Sequence, residues 1–395
     1  MENKNFSEQI AHVCEECFRT LPKCGKPNEK EWTVLSCIVR EFDSELTVVA
    51  LGTGSKCIGR SKMSDRGDVL NDSHAEIICR RSFLRYIYSQ MRGDSDILSF
   101  DENCKKFCIN SEVQFHFYTS HVPCGDAAIF SKQNSDDFGR IVEDCEETPS
   151  KKVKLDEDIF RTGAKCVDGS GEVDAKLPGV DYHVTGVVRT KPGRGDPTLS
   201  VSCSDKLAKW SHLGVQGALL SNLLDKPIYL SSFTIAGNSP FCKEALERAL
   251  YARLGVLSLK GPYRLHKMDV NQSSTAFEYA KVDSKQPCPS SISYSAVTEN
   301  KIEVAVQGRR QGVTKKKRNT EAGRLKICKL DLFKSFLNVC NERKIELKSN
   351  CDNIDLSYGS VKLLSDVYRE SWRELRRCFK TWSIKNASLL DFLAK

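Results

Sequence analysis

Strand-like and helix-like segments alternate along the first 255 residues of this 395-residue chain. The runs at 32–42 and 45–54 are rich in β-branched residues, and residues 113–120 alternate apolar and polar side chains as a strand does. Segment 74–90 carries its large apolar side chains at helical spacing. A chain that alternates in this way covers both faces of a sheet with helices. The pattern therefore predicts an α/β fold with a three-layer α/β/α core.

Further segments extend this pattern toward the C-terminus. We expect a strand at 227–237 and another at 301–306, together with helices at 6–19, 241–254, 329–341 and 360–380. The mainly helical C-terminal part has no obvious linker before it, so we expect it to pack on the core. Residues 1–395 are therefore treated as a single domain. Residues 131–180 are rich in Asp, Glu, Lys and Ser, which predicts a surface insertion that is at least partly disordered.

Composition narrows the class of protein only modestly. The formal net charge of +8 fits a polyanionic partner. The sequence shows no stretch of about 20 apolar residues and no signal peptide, so we expect no membrane association and a place in the nucleus or cytoplasm. The 18 cysteines are scattered through a large domain without an export signal, so we expect most of them to be reduced. The oligomeric state stays open, with a monomer favoured.

Two short motifs point to metal chemistry. Residues 74–76 are His-Ala-Glu and residues 123–125 are Pro-Cys-Gly. Deamination of a base by zinc needs three protein ligands, an open position for water and a carboxylate that does not bind the metal. At the start of a helix, residues i and i+2 diverge by about 200°, so His74 can face the metal while Glu76 moves protons. Because proline suits the first turn of a helix, we expect Cys124 at a helix N-terminus, where the dipole favours its thiolate.

The third ligand is not in the usual place. The common deaminase signature closes with P-C-x-x-C, but position 127 is alanine. Our candidate is Cys203, within SCSDK at a second predicted strand-to-helix junction; the alternative is that Cys203 is a buried core thiol. His121 and Cys124 also have the H-x-x-C spacing of a structural zinc pair, and this alternative remains open.

Three longer runs resemble the adenosine deaminases that act on RNA. They are GTGSKCIGRSKMSDRGDVLNDSHAEIICRRSFLRYIY at 52–88, PCGD at 123–126 and SVSCSDKLAKWSHLGVQGALLS at 200–221. The resemblance extends over essentially the whole chain apart from 131–180. It implies a cytidine-deaminase-like core with a mixed sheet. It also implies zinc bound by His74, Cys124 and Cys203, with Glu76 as the proton shuttle.

Within this family, the resemblance is to the branch that edits tRNA. Only about 30 residues precede the first predicted core strand, so we expect no separate double-stranded-RNA-binding domain. The messenger-RNA editors carry a Gly-Glu-Gly loop whose glutamate fills the space left by the flipped base. This chain has Gly193-Arg194-Gly195 there. The resemblance thus implies deamination of adenosine 37 in tRNA-Ala. Arg194 could contact a phosphate or stack on a base there; the alternative is that it is an ordinary solvated loop arginine.

A second set of residues combines positive charge with aromatic rings. Basic side chains set among apolar positions either extend to water or share a buried polyanion. The family buries inositol hexakisphosphate beneath its active site, and the resemblance therefore favours the polyanion. The implied contacts are Lys56, Asn71, Asp72, Arg80, Arg81, Lys206, Lys209, Trp210, Tyr358, Lys362, Tyr368, Trp382 and Lys385. Two positions depart from the family: Lys209 replaces an arginine, and Trp372 stands where a lysine is expected.

The densest basic run is GRRQGVTKKKR at 308–318. It is either a flexible arm on the tRNA backbone or a solvated loop, and its candidate RNA contacts are Arg309, Arg310, Lys315 and Lys316. A second run at 149–158 resembles a nuclear-import signal. Three rival functions remain: editing of another structured RNA, deamination of cytidine in nucleic acid, and non-catalytic RNA binding with a structural zinc. The retained Glu76 argues against the last, and the distant Cys203 against the second.

Overall fold

The computed structural model describes residues 2–132, 158–193, 195–347 and 356–394. Within these ranges, helices α1–α8 span Glu2–Thr20, Ala75–Arg92, Cys203–Leu213, Gly217–Ser221, Lys243–Leu250, Lys329–Glu342, Tyr358–Leu363 and Asp366–Cys378. Strands β1–β9 span Glu31–Trp32, Leu35–Phe42, Glu45–Thr53, Ser55–Cys57, Asp72–His74, Leu98–Asp101, Lys106–Ile109, Gln114–Thr119 and Phe130–Ser131. Strands β10–β18 span Ile159–Phe160, Lys165–Cys166, Arg189–Thr190, Ser232–Ile235, Asp269–Gln272, Gln286–Pro287, Ser290–Ser295, Ile302–Val306 and Arg309–Arg310.

Eight of these strands form one mixed sheet, in the order β14-β13-β8-β2-β3-β16-β17-β18. Strands β14, β13 and β8 run parallel to one another, and the other neighbouring strands pair antiparallel. The three parallel strands therefore end at the same edge of the sheet. The loop that carries Cys124 follows β8 and lies at this edge, where α/β proteins commonly bind their ligands.

Helices cover both faces of the sheet. On one face, Ile10 and Phe18 of α1 pack with Leu35 of β2. On the opposite face, Phe83 of α2 makes an edge-to-face contact with Phe115 of β8, with ring centroids 4.9 Å apart. The C-terminal helices join this second layer, since α6 packs on α2 and α8 packs on α3. The predicted three-layer core and the packed C-terminal part are both confirmed.

Two glycines allow the start of α2 to lie directly against β3. A methyl group at Gly52 would lie 2.4 Å from the backbone nitrogen of Cys79 and 2.5 Å from the carbonyl oxygen of Ala75. Gly54 has φ +127°, and a Cβ there would lie 2.3 Å from the carbonyl oxygen of Ser73. Only glycine fits such close backbone contacts. These glycines therefore fix the junction between β5 and α2.

The structure corrects two sequence predictions and shortens another. The single helix expected at 360–380 is two helices, Tyr358–Leu363 and Asp366–Cys378. No α-helix follows Pro123: the chain makes only a 3-10 turn at Asp126–Ala128, because Gly125 takes φ +105° and β9 then pairs with β10. The strand expected at 227–237 is limited to Ser232–Ile235. Part of the predicted insertion, residues 133–157, lies outside the described residues. None of the helices in the described ranges is long and apolar enough to cross a membrane.

Candidate active site

Three predicted metal ligands meet at the edge where the parallel strands end. The Nδ1 atom of His74 lies 3.8 Å from Sγ of Cys124 and 3.6 Å from Sγ of Cys203. In a tetrahedral zinc site with Zn–S and Zn–N bonds of ordinary length, ligand atoms are about 3.6–3.8 Å apart. The three side chains therefore fit a zinc ion with one coordination position open.

The two cysteine loops are held together by hydrogen bonds. Cys203 is the first residue of α3, and its backbone N–H donates to Sγ of Cys124 over 3.4 Å. The hydroxyl of Ser202 caps α3 by accepting from the backbone N–H of Asp205. At Gly125, a Cβ would lie 2.2 Å from that same hydroxyl oxygen, so the loop requires glycine there. Cys124 thus faces the N-terminus of α3, although it does not begin a helix itself.

The electrostatic environment of Cys124 favours its thiolate. A hydrogen bond from the Cys203 side chain, together with the positive charges of Lys191 and His74, holds the pKa of the Cys124 thiol well below its usual range. A thiolate is the form in which cysteine binds zinc. The local charge distribution therefore suits a metal ligand better than a core thiol.

Glu76 lies in the first turn of α2, two residues beyond His74. Its side chain is 3% exposed, and burial raises the pKa of its carboxyl group above the ordinary value. The nearby Cys124 also raises this pKa, while His74 lowers it. A carboxyl group whose pKa is raised toward neutrality can accept a proton and release it again. This is the property that a proton shuttle needs.

Lys191 is a further functional residue, which the sequence analysis missed. Its side chain is fully buried, and Nζ donates to Oδ1 and Oδ2 of Asp72 over 3.0 and 2.9 Å and to Sγ of Cys203 over 3.1 Å. The ammonium group of Lys206 binds the same carboxylate. A chain of contacts thus runs from a metal ligand through Lys191 and Asp72 to Lys206. An isolated lysine two residues before a glycine offers no sequence pattern that would reveal this role.

The alternative metal sites fit less well. Cys57, Asp72 and His74 also place ligand atoms within 4.8 Å of one another, but both oxygens of Asp72 already accept hydrogen bonds from lysines. Among the described residues, no candidate ligand group joins His121 to Cys124. The geometry therefore favours the set His74, Cys124 and Cys203 over the H-x-x-C pair.

Beneath this site lies a cluster of half-buried cations, formed by Arg80, Arg81, Lys209, Lys329 and Lys385. Within the described ranges, none of the five has a carboxylate at ion-pair distance. Burial and repulsion from the neighbouring cations lower the pKa of Arg80 to about 10, of Lys385 to about 8 and of Lys329 to about 7. Like charges buried together without counter-charges are costly. A counter-anion among these side chains would offset that cost.

Most of the predicted polyphosphate contacts surround this cluster. The Lys209 ammonium lies 3.7 Å from the ring centroid of Trp372 and 5.6 Å from that of Tyr368. The rings of Trp210 and Tyr358 lie below Arg80 and Lys362. The ring of Trp382 makes an edge-to-face contact with that of Trp372. The buried side-chain oxygen of Asn71 has no hydrogen-bond partner in the described part of the chain. Lys329 and Trp372 were not among the predicted contacts, while Lys56 lies on β4 near Cys288.

The candidate RNA-contacting residues differ in exposure and in their hydrogen bonds. Arg194 lies outside the described residues. Arg309 is 12% exposed and donates both to the carboxylate of Asp68 and to the carbonyl oxygen of Arg318. The remaining side chains are exposed and form no ion pair within the described ranges; they are Arg310, Lys315 and Lys316. The basic run is held against the 59–70 loop by Asp68 rather than extending freely.

An α/β/α domain whose parallel-strand edge holds a His-Cys-Cys set beside a buried glutamate defines a nucleobase deaminase. Residues 50–386 match the adenosine-deaminase (editase) domain, and the chain belongs to that family. The tRNA-specific adenosine deaminase 1 of Drosophila melanogaster is 38% identical over 98% of this chain and 96% of its own length. The Mus musculus protein of that name is 33% identical over 95% of this chain and 97% of its own length. The double-stranded RNA-specific adenosine deaminase of Mus musculus is 29% identical, with only 32% of its length covered.

Replacing Lys191 by methionine tests the contact chain. We expect Lys191→Met to weaken zinc binding by about 10- to 100-fold, the usual effect of removing a group that orients a metal ligand. Zinc retained during competition with a chelator measures this directly. Lys165→Met is the matched control, because Lys165 is exposed on β11, beside the strand that leads to Lys191. Equal zinc retention in the two variants would contradict the role of Lys191.

Proposed function

We propose that the protein is a zinc-dependent enzyme that hydrolyses adenosine to inosine in tRNA, at position 37 beside the anticodon of tRNA-Ala. The observation that carries this proposal is the buried Glu76 next to His74, Cys124 and Cys203. Two relatives named as tRNA-specific adenosine deaminases match over nearly their whole length. These similarities also favour adenosine over cytidine as the base.

Each side chain has a distinct part in this chemistry. Zinc held by His74, Cys124 and Cys203 would supply Lewis-acid activation of a water molecule. The carboxylate of Glu76 accepts a proton from the attacking water and delivers it to N1 of adenine as the water oxygen bonds to C6. It then takes the remaining proton of that hydroxyl group and passes it to the amino group, so that the C6–N bond breaks, ammonia leaves and inosine forms. Lys191 would stabilise the thiolate that Cys203 forms on binding zinc, since Nζ already contacts its Sγ atom. A non-catalytic RNA-binding protein would have no use for Glu76 in this position.

Position 37 fits a site that accepts an unpaired base. In the anticodon loop a base can be extruded without breaking a duplex, so its transfer into the pocket costs less than in double-stranded RNA. The Gly193-Arg194-Gly195 run differs from the Gly-Glu-Gly loop of the messenger-RNA editors. We propose that Arg194 contacts the RNA there. The encounter with tRNA would take place in the nucleus or cytoplasm, and the import-like run at 149–158 lies almost entirely outside the described residues.

Incubation of the purified protein with tRNA-Ala tests both the reaction and its position. We expect sequencing to show inosine at position 37. We expect Glu76→Gln to reduce the single-turnover rate by about 1,000-fold or more, within the range of general acid–base catalysis, because an amide cannot carry the proton. The zinc content should not change. Glu102→Gln is the control, since Glu102 is an exposed glutamate. Inosine found only at other positions would refute the assignment to position 37. Full activity in Glu76→Gln would refute the role of Glu76 as the proton shuttle.

We propose inositol hexakisphosphate as the polyanion of the cation cluster. The supporting observation is the set of half-buried like charges, whose pKa values are lowered by desolvation and mutual repulsion. A ligand with six phosphates can contact several of these cations at once, as isolated chloride or a single phosphate cannot. Lys206 lies between this cluster and Asp72, so the polyanion would also support the lysine–aspartate chain that leads to Cys203.

The pH dependence of stability distinguishes the two states of this cluster. In ligand-free protein, Lys329 and Lys385 lose protons above about pH 7 and 8, while the unfolded chain keeps them up to about 10.5. The unfolded state therefore binds more protons, and the free energy of unfolding should rise with pH across that window. With inositol hexakisphosphate bound, both lysines stay charged and the rise should disappear.

Chemical denaturation at several pH values between 7 and 10, with and without inositol hexakisphosphate, measures this difference. Protein from cells unable to make inositol polyphosphates provides the ligand-free state. Lys329→Met should remove part of the pH dependence in that state, whereas Lys334→Met on the same helix should not. An identical pH dependence in the presence and absence of the ligand would rule out binding at this cluster.

We further propose that the basic run at 308–318 contacts the tRNA backbone. Asp68 holds this run in place by binding Arg309, and the backbone N–H of Leu70 donates to the carbonyl oxygen of Gly308. The cations of this run therefore form a fixed surface rather than a mobile arm. Phosphate contacts of this kind give affinity without choosing sequence.

Salt dependence of binding tests this surface. We expect the double variant Lys315→Ala, Lys316→Ala to bind tRNA more weakly and to reduce the slope of log affinity against log salt by about 0.9 for each phosphate that is no longer neutralised. The deamination rate at saturating tRNA should not change. Lys301→Ala, at the opposite end of β17, is the control. An unchanged slope in the double variant would show that the run does not touch RNA.

A further inference from the structure

Two side chains at the edge where the parallel strands end take no part in the deamination chemistry: His121 and Lys281. The last residues of β8, β13 and β14 are paired across the sheet as Thr119, Ile235 and Gln272. His121 follows β8 and lies three residues before Cys124, and Lys281 lies in the segment after β14. Both therefore belong to the edge that holds the candidate metal ligands.

The backbone around His121 is firmly braced. The N–H of Val122 donates to Oγ of Ser239 over 2.9 Å, which ties the loop after β8 to the loop after β13. The side-chain amide of Gln272 donates to three carbonyl oxygens of that second loop. Asn238 both donates to and accepts from the backbone of Phe277. The three loops therefore form one rigid rim beside Cys124.

The imidazole of His121 is held by one nitrogen only. Its Nδ1 atom lies 3.5 Å from Oγ of Ser239, and the Ser239 hydroxyl donates to the carbonyl oxygen of Pro240. Nδ1 is therefore the donor in this contact. Nε2 has no hydrogen-bond partner in the described part of the chain, and the ring is only partly buried. Burial and the positive charge of Lys281 lower the pKa of His121 to about 4, so the ring is neutral.

Lys281 supplies the charge that this ring lacks. Its side chain is exposed and forms no ion pair among the residues described. The turn immediately before it, Phe277–Ala280, is bound to Asn238, whose neighbour Ser239 contacts the His121 ring. A fixed aromatic ring next to a free ammonium group matches one nucleotide of a single strand, with the base against the ring and the phosphate at the cation. The position beside Cys124 places such a nucleotide next to the base that reacts.

We propose that His121 and Lys281 form a subsite for a nucleotide adjacent to the edited adenosine in the RNA chain. The base of this nucleotide stacks on the imidazole of His121, and its phosphate contacts the ammonium group of Lys281. This inference rests on the proposed function and deepens it, because it assigns residues that hold the RNA strand on one side of the flipped base.

A cycle that combines protein and RNA changes tests the stack. The substrate is the anticodon stem-loop of tRNA-Ala, either intact or with the base removed from the nucleotide immediately 5′ or immediately 3′ of the edited adenosine. We expect one of the two base removals to lower kcat/KM of the unaltered enzyme by about tenfold, as expected when one base–aromatic stack is absent. His121→Ala should lower kcat/KM on intact RNA by a similar factor, with no further decrease on that abasic RNA.

Several controls separate a missing subsite from a damaged enzyme. His121→Phe keeps a stacking ring and should retain both activity and the abasic penalty, and zinc content should be equal in all variants. Lys281→Ala should raise KM and reduce its salt dependence, whereas Lys267→Ala, before the opposite end of β14, should do neither. If both abasic penalties persist in His121→Ala, the subsite is refuted while the deaminase proposal stands. If the unaltered enzyme with zinc bound forms no inosine in this RNA, the proposed function fails first.

Discussion

The carboxylate of Asp72 lies between the ammonium groups of Lys191 and Lys206, and only 5% of the residue is exposed. Lys191 also contacts Sγ of Cys203, whereas Lys206 borders the cation cluster. A buried charge without its partner is strongly destabilising. The two halves of the site therefore depend on a single side chain, and neither can change its charge without affecting the other.

Helices α2 and α3 explain how one small region holds both kinds of chemistry. Each carries a residue of the reaction site in its first turn and a cation one turn further along. Glu76 precedes Arg80 by four positions on α2, and Cys203 precedes Lys206 by three on α3. Residues spaced by three or four lie on the same side of a helix. On each helix, one face therefore carries a group of the reaction site in its first turn and a cation in the next turn, toward the cation cluster.

The sequence predicts the layers of the fold and the chemical groups of the site, but not every contact. Alternating strands and helices were sufficient for the three-layer core. Strand β16 was not predicted, because four of the six residues in its sequence, SSISYS, are serine and it lacks the usual run of β-branched residues. The helix expected after Pro123 is absent because Gly125 adopts a left-handed backbone. Cys203 lies 79 residues beyond Cys124, so its place at a strand-to-helix junction made it only a candidate, and the family resemblance assigned it as a ligand. Lys191 belongs to no sequence pattern that would have indicated its contacts.

The cation cluster also has a consequence for how the chain folds. Its members come from distant parts of the sequence, with Arg80 on α2, Lys209 on α3, Lys329 on α6 and Lys385 after α8. The folded chain brings these like charges together, and each lowers the pKa of its neighbours. Contacts that span most of the chain form slowly. Inositol hexakisphosphate, bound as proposed, would therefore join segments that lie far apart in the chain, and its supply inside the cell would affect how many newly made chains complete the domain.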